Sequence, residues 1–570
     1  MKKFSEIKVH NITVEKIQKE LNPLINSFKN AESFEEQDKI FKKINKIMDD
    51  LQTNISIIYV RYTINTTDAK YKKLQEHLDE ISPYISAIAN EFNKAMVESK
   101  FKDDFIKKYG DHLFKMIETS LKCFDEKIIP ELQEINKLTS EYTTLVASSQ
   151  LEYKGQTYTL TQLGKFSESL DRNERKKVAQ LSASFFEEND AKIGEIYDKL
   201  VKLRTSIAHK LGFSSFIELG YLMLGRTDYD AKMVENYREQ IKKDLVPFTQ
   251  KLFKRQAKRL HLKNPQYYDF SINFLSGNAK PNGDKDFMVK QAQKMYHELS
   301  KETDYFFSFM VENELMDLEA KPGKAPGGYM TYFPKYKAPF IFSNFNGTSA
   351  DVDVLTHEFG HAFQGYMSRN IEVPDYRSPT LEACEMHSMS MEFITYPWMN
   401  LFFGENEEKY RYAHLVDAIC FIPYGATVDE FQHWVYAHPE ASHEERCKAY
   451  KQIEEQYLPH KKYDNVEIYQ RGRFWMKQRH IIESPFYYID YTLAQVVAFQ
   501  FFNEDCKNHE KAWKKYVKLC KLGGKYPFTE LLEKAHINNP FVDGTIKKTI
   551  KPLKKYLDSI DDMKYWIINI

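Results

Sequence analysis

Neither sign of charge dominates this 570-residue chain, in which Lys plus Arg and Asp plus Glu each number 81. A balanced chain has no general electrostatic drive towards nucleic acid or an anionic membrane, so neither is an expected partner. Cysteine is scarce. The six stand at Cys123, Cys384, Cys420, Cys447, Cys506 and Cys520, without a C-x-x-C pair. That excludes a disulfide framework and predicts free thiols in a reducing compartment. Long apolar runs are missing too. The greasiest, "LAQVVAFQFF" (493–502), falls well short of the roughly 18 residues that mark a membrane helix. The amino terminus, "MKKFSEIKVHNITVEKIQKEL", has a basic pair with no apolar stretch behind it, so it does not read as a secretory signal. A cytoplasmic location is the expectation. No repeat of 20–50 residues and no low-complexity linker breaks the chain.

What is present is ordinary for a large globular protein: 42% apolar and 28% charged residues. The length suggests more than one domain. Aromatic residues are plentiful, with 37 Tyr and 40 Phe, enough to fill a large core or to line an internal cavity.

The first two hundred residues read as helices. Ser33 with Glu36 forms a capping-box pattern, and Ile40, Ile44, Ile47 and Leu51 follow at helical spacing. Leu74, Leu78, Ile81, Ile85 and Ile88 repeat the pattern, with Pro83 predicting a kink or a break near Ser82. "LEYKGQTYTL" (151–160) predicts a small hairpin around Lys154-Gly155, and "GFSSFIELG" (212–220) a helix capped by Ser214 or Ser215. Further on, "GYMTYF" and "PFIFSNF" predict two strands joined by a Pro/Lys turn.

Directly after the second strand comes "VLTHEFGHAF" (354–363). Asn346-Gly347 ends the strand, Thr348 with Asp351 fits a capping box, and Asp353 adds an acid near the positive helix end. A helix is predicted over 349–367. On it His357 and His361 lie one turn apart, so both imidazoles leave from one face and can reach one ion. Glu358 stands a step round from His357, where it can draw a proton from a water on that ion. One zinc ion per chain is therefore expected. Gly360 and Gly365 weaken a helix, which makes sense if another segment approaches closely.

A catalytic zinc usually takes three protein ligands. The following helix, "SPTLEACEMHSMSMEFITYPWM" (378–399), starts with Ser378 before Pro379 and offers Glu382, Glu385, His387 and Glu392. Glu385 and Glu392, seven apart, share a face, and Glu382 lies near it; spacing does not choose between Glu382 and Glu385.

"HEFGHAFQG", then "LEACEMHSMSMEF", then "PFYYIDYTLAQ" (485–495) resemble the thimet oligopeptidase and oligoendopeptidase F family of zinc metallopeptidases, most of all its oligoendopeptidase F branch. "APGGYMTYF" and "PFIFSNFNGTSADVDVLTHEFGH" fit the same branch. The resemblance implies a mostly α, clam-like metallopeptidase with a deep substrate channel and a small β-sheet next to the HExxH helix. Residues 1–200 would form a helical lobe walling the channel, and 201–570 the catalytic domain. The resemblance also implies Glu385 as third ligand, and it leaves Glu392 to orient a liganding histidine. Substrates would be short peptides, since a narrow channel admits only an extended chain. Charge develops on the carbonyl oxygen during hydrolysis, and "RHIIESPFYYIDYTLAQ" (479–495) supplies donors for it: His480, Tyr488 and Tyr491, with Tyr487 a further candidate. An exposed edge of "PFIFSNF" would accept the peptide as an added strand, and Gly327 and Gly328 would contact its backbone in the same way.

Two other functions fit parts of this pattern. A dipeptidyl carboxypeptidase-like exopeptidase would need an anchor for a free carboxylate, for which Arg471, Arg473 and Arg479 are the candidates. A non-catalytic helical scaffold would keep a structural or vestigial site. The residues leave the oligomeric state open.

Overall fold

A computed structural model describes residues 1–321, 323–464 and 466–562, and 71% of the chain is helical. The mostly α fold thus agrees with the sequence periodicity. The first long helices are α1 (Phe34–Ile64) and α2 (Ala69–Val97). Ser33 caps α1 by accepting from the Glu36 N–H at 3.2 Å, while the Glu36 carboxylate accepts from the Glu32 N–H instead of closing the box on Ser33. Of the kink or break expected at Pro83, the break does not occur, and α2 runs through it. Pro83 has no N–H for the Asp79 carbonyl, and the Ser82 hydroxyl donates to that carbonyl instead, at 3.3 Å. α1 and α2, with the shorter helices Val14–Asn30, Lys102–Tyr109 and His112–Lys122, carry a core of their own, built around Leu21, Phe28, Phe41, Phe105 and Leu113, which Val373 and Tyr376 join from the loop after the histidine helix. A second, larger apolar core gathers most of the rest of the chain.

Local signals away from the site behave as read. Leu151–Tyr153 pairs with Gln156–Tyr158, and Lys154 (φ 50°) and Gly155 (φ 73°) make the left-handed turn that a two-residue hairpin needs. Ser215 caps the helix Phe216–Met223. All six cysteines are free. No helix among the described residues is long and apolar enough to cross a membrane.

The sheet that holds the site has three strands: β1 (Met316–Glu319), β2 (Tyr329–Phe333) and β3 (Ala338–Phe345). Their order is β1-β3-β2, with β1 parallel and β2 antiparallel to β3. This corrects one expectation. β3, the strand of "PFIFSNF", is central and nearly all buried, so its backbone groups are committed on both sides and it offers no edge. The outer strand on that side is β2. The cause was β1, whose "MDLE" is only four residues long and carries two acids, a residue type that strands disfavour.

From β3 the chain turns at Gly347 (φ 87°) into α3 (Ala350–Ser368), one residue from the predicted bounds. Thr348 does not cap α3. The Asp351 carboxylate instead reaches back to the N–H groups of Asn346 and Gly347, at 3.0 and 2.7 Å. Next comes α4 (Leu381–Ile394), which starts two residues later than Ser378-Pro379 suggests, with Thr380 at its N-cap. Then follow α5 (Glu407–Ala437) and α6 (Tyr488–Asp505).

α3 and α4 pack unusually closely, and one residue permits it. A Cβ on Gly360 would lie 2.7 Å from both the His387 carbonyl oxygen and the Ser388 Cα, two backbone atoms that cannot swing aside. Gly365 is different: a Cβ there would meet the Tyr332 ring at an ordinary 3.5 Å, so of the two glycines only Gly360 is required for close approach. Gly360→Ala is therefore expected to destabilise the protein by about 1–3 kcal/mol, as overpacking does, and Gly365→Ala by much less. Denaturant midpoints of the two variants test this, and equal midpoints would refute it.

Candidate metal centre

The close packing of α3 on α4 brings three donor atoms together. Glu385 Oε2 lies 3.2 Å from His357 Nε2 and 3.4 Å from His361 Nε2. The two imidazoles stand nearly perpendicular, with ring centroids 4.9 Å apart. Among the described residues, His357, His361 and Glu385 are the one group of His, Cys, Asp and Glu side chains with metal-binding geometry. In a tetrahedral site with bonds of about 2.0–2.1 Å, donors stand about 3.3–3.4 Å apart. The spacing and the donor chemistry therefore fit zinc, with one position of the tetrahedron left over.

The surroundings fix the orientation of each donor. His357 Nδ1 donates to Glu392 Oε1 at 2.7 Å, which fixes the ring so that Nε2 is the nitrogen turned towards Glu385 and available to a cation. The other oxygen of Glu392 accepts from His414 Nε2 on α5, at 2.8 Å. Glu385 is held from two sides: the Ser388 hydroxyl donates to Oε2 at 3.1 Å, and the Tyr487 hydroxyl to Oε1 at 2.8 Å. Tyr487 reaches there because Phe486, just before α6, adopts a left-handed backbone (φ 65°). Its carbonyl accepts from Arg226 at 2.7 Å, and its N–H donates to Gln432 at 3.0 Å. A strained non-glycine residue fastened this firmly, next to the site, is what a positioned functional loop requires.

The site's charge is out of balance towards the acids. Glu358, Glu385 and Glu392 crowd two histidines, and all three are buried or nearly so. Burial opposes a charged His357 ring, yet Glu385 and Glu392 hold its pKa well above the ordinary histidine value. Burial also opposes the charge on Glu385, but His361 and His357 hold it well below the usual carboxylate range. Both directions report one field, strongly favourable to a cation. Glu358 differs: burial pushes its pKa up, and its Oε2 has no hydrogen-bond partner among the described residues. An unpartnered buried carboxylate oxygen beside a cation site is suited to take a proton from water.

The remaining candidates fall into four groups. His480, Tyr487, Tyr488 and Tyr491 come together, with His480 ring distances of 5.8, 4.9 and 5.7 Å to the three tyrosines in turn. His480 Nδ1 lies 2.8 Å from the Gln478 side-chain nitrogen, and Gln478 Oε1 accepts from Tyr424 at 2.7 Å. Burial and the neighbouring Arg479 lower the His480 pKa, so the ring is neutral near pH 7. Gly328 also sits at the site, where a Cβ would come 3.7 Å from Glu358 Oε1. Gly327, beside it, has φ 93° and its carbonyl accepts from Asn344 at 2.8 Å. Glu382 and His387 lie elsewhere. Glu382 joins the buried surroundings of Arg226 and Asp490, while His387 faces Cys520 on another helix. The three arginines are already engaged: Arg471 with Glu187, Arg473 with Asp190 and Glu444, and Arg479 with Glu483.

Sequence reasoning did not assign Ser388, Tyr487 or His414 to the places they hold. Ser388 was within reach, since it stands three residues after Glu385 on one helix. His414 and the Glu385-binding position of Tyr487 had no local signal, because they arrive from other elements.

Comparison with known proteins gives a consistent picture. The model of "Peptidase family M3" matches residues 166–549, and that of the "Peptidase M3 N-terminal domain" matches residues 4–124. PZ peptidase A, solved with an inhibitor, is 49% identical, with 98% of this chain and 100% of that chain covered and a TM-score of 0.95. A Bacillus anthracis str. Ames protein assigned as an oligoendopeptidase F is 45% identical, with 99% of each chain covered and a TM-score of 0.91. Oligopeptidase PepF of Bacillus subtilis (strain 168) is 22% identical over 290 residues, which span 49% of this chain and only 41% of that relative.

The geometry separates two acids that spacing left open. Glu385→Gln is expected to lose bound zinc, and Glu382→Gln to keep it at the wild-type level. Elemental analysis of the purified variants decides, and full zinc in Glu385→Gln would remove that residue from the ligand set.

Proposed function

Because the chain belongs to peptidase family M3, we infer that it is a zinc-dependent endopeptidase hydrolysing peptide bonds in short oligopeptides. The observation that carries this reading is the convergence of His357, His361 and Glu385, with the buried, unpartnered Glu358 beside them. His357, His361 and Glu385 would hold one zinc ion per chain, which when bound lowers the pKa of a water and polarises the scissile carbonyl.

The rest of the chemistry belongs to the protein's own groups. Glu358 takes the proton from the attacking water and hands it to the leaving amine nitrogen. His480, Tyr488 and Tyr491 face the charge that develops on the carbonyl oxygen, and a neutral His480 can donate to it. Tyr487, by contrast, has its hydroxyl on Glu385, so it serves the ligand and not the substrate. Gly327 and Gly328 lie where β2 begins, and the outer edge of β2 is the place for an extended peptide to pair by its backbone. α1 lies against that strand: Thr63 and Tyr329 share a 2.5 Å hydrogen bond, and the Tyr59 and Tyr329 rings are 5.3 Å apart. A lobe seated there restricts the approach to flexible chains, which favours short peptides over folded proteins. Endopeptidase action is preferred to removal of terminal dipeptides because Arg471, Arg473 and Arg479 are all paired with acids. A cytoplasmic location suits six free cysteines.

Three experiments test the assignment. Glu358→Gln is expected to retain zinc while kcat falls by about 10²–10⁴-fold, the usual worth of a general base. Full turnover by that variant would refute the role. A peptide blocked at both ends should be cut internally, as mass spectrometry of the products would show; a strict need for a free terminus would instead favour an exopeptidase. Gly327→Val, strained at φ 93°, should raise KM for a short peptide more than it lowers kcat, and unchanged kinetics would exclude that loop from binding.

A further inference from the structure

Glu392 is a buried carboxylate gripped at both oxygens by imidazoles: His357 at 2.7 Å on one side and His414 at 2.8 Å on the other. His414 comes from α5, outside both site helices, and its side chain is 9% exposed. Its ring is walled in by Phe393 at 5.2 Å, Tyr396 at 5.6 Å and Tyr410 at 5.6 Å, the last nearly parallel to it. Its second nitrogen, Nδ1, lies 2.6 Å from the Tyr396 hydroxyl. The Tyr396 O–H has a second, longer acceptor in the Arg411 carbonyl at 3.4 Å; donating to the closer Nδ1, it places the imidazole proton on Nε2, aimed at Glu392. Another acid, Asp353, is near, but it stands 4.0 Å from His414 Nε2 and accepts from the Tyr410 hydroxyl. The His414 proton therefore has one close acceptor.

We propose that His414 is a positioning residue for the metal centre: by donating to the far oxygen of Glu392 it locks that carboxylate on His357 Nδ1, and so fixes the imidazole that presents Nε2 to the cation. The proposal rests on the zinc reading given above. A carboxylate held at one oxygen only can rotate about its terminal torsion, and the His357 ring would turn with it. Held at both, it cannot. The order of support runs Tyr396, His414, Glu392, His357, a chain of hydrogen bonds that passes from the turn after α4 to α5, back to α4 and on to α3 inside the protein. Outer partners of metal-bound histidines commonly govern metal affinity by 10–100-fold.

The test measures zinc affinity by competition with a chromogenic chelator, together with thermal unfolding of the metal-free proteins. His414→Phe fills the same space without a donor and should weaken zinc binding by about 10–100-fold. His414→Gln retains an N–H within reach of Glu392 and should recover most of the lost affinity, which a role in packing alone would not predict. Tyr396→Phe keeps the wall of the ring but removes the hydroxyl, and should lose affinity in the same direction to a smaller extent. It also stands in should His414→Phe not fold. Zinc affinity unchanged in a folded His414→Phe, with only the unfolding temperature lowered, would overturn the proposal. Failure of the wild-type protein to bind zinc at all is a different result, and it would remove the metal reading itself.

Discussion

The site depends on one close approach between two helices. Two histidines a turn apart on α3 can meet a carboxylate from α4 only if the helix backbones nearly touch, and Gly360 is the point of contact. Its missing side chain admits the His387 carbonyl and the Ser388 Cα. The residues on either side of that contact, Glu385 and Glu392, are thereby carried to the two nitrogens of His357. The helix penalty of a glycine, about 1 kcal/mol, is small beside what the packing provides.

Close packing explains where the acids are; it does not make them comfortable. Three carboxylates share a buried space with two imidazoles, and burial opposes charge on each acid. Such a cluster is costly for folding and is held by hydrogen bonds from outside: Ser388 and Tyr487 on Glu385, His414 on Glu392. Glu358 alone lacks that support at one oxygen. The difference matches the roles proposed for them: the supported carboxylates to hold position, and the unsupported one to exchange a proton.

The wider fold serves access and orientation. The N-terminal helices, with a separate apolar core, lie against the outer strand of the sheet next to the site. On the other side, the strained Phe486 sets the start of α6 and with it Tyr487, Tyr488 and Tyr491. Arg226, anchored on Asp490, holds this turn from behind. The aromatic abundance of the sequence is thus spent both in the cores and around the site.

Much of this was legible in the residues themselves. Helical periodicity, the Lys154-Gly155 turn, the β2–β3 pair and the span of α3 all follow from local rules, because each depends on neighbours in the chain. His357, His361 and Glu358 were legible for the same reason, since one helix turn sets their geometry. Where local signals competed, reading was less exact: Pro83 did not break its helix, since Ser82 satisfied the freed carbonyl. Other features were decided only by tertiary structure. β3 became central because a weakly marked third strand paired on its far side. Glu385 and not Glu382 reached the histidines because of how α4 rotates against α3. His414 and Tyr487 found Glu392 and Glu385 across gaps of 22 and 102 residues. Spacing along a chain encodes which side chains share a face of one element; which faces meet is settled only when separate elements bury their apolar surfaces together.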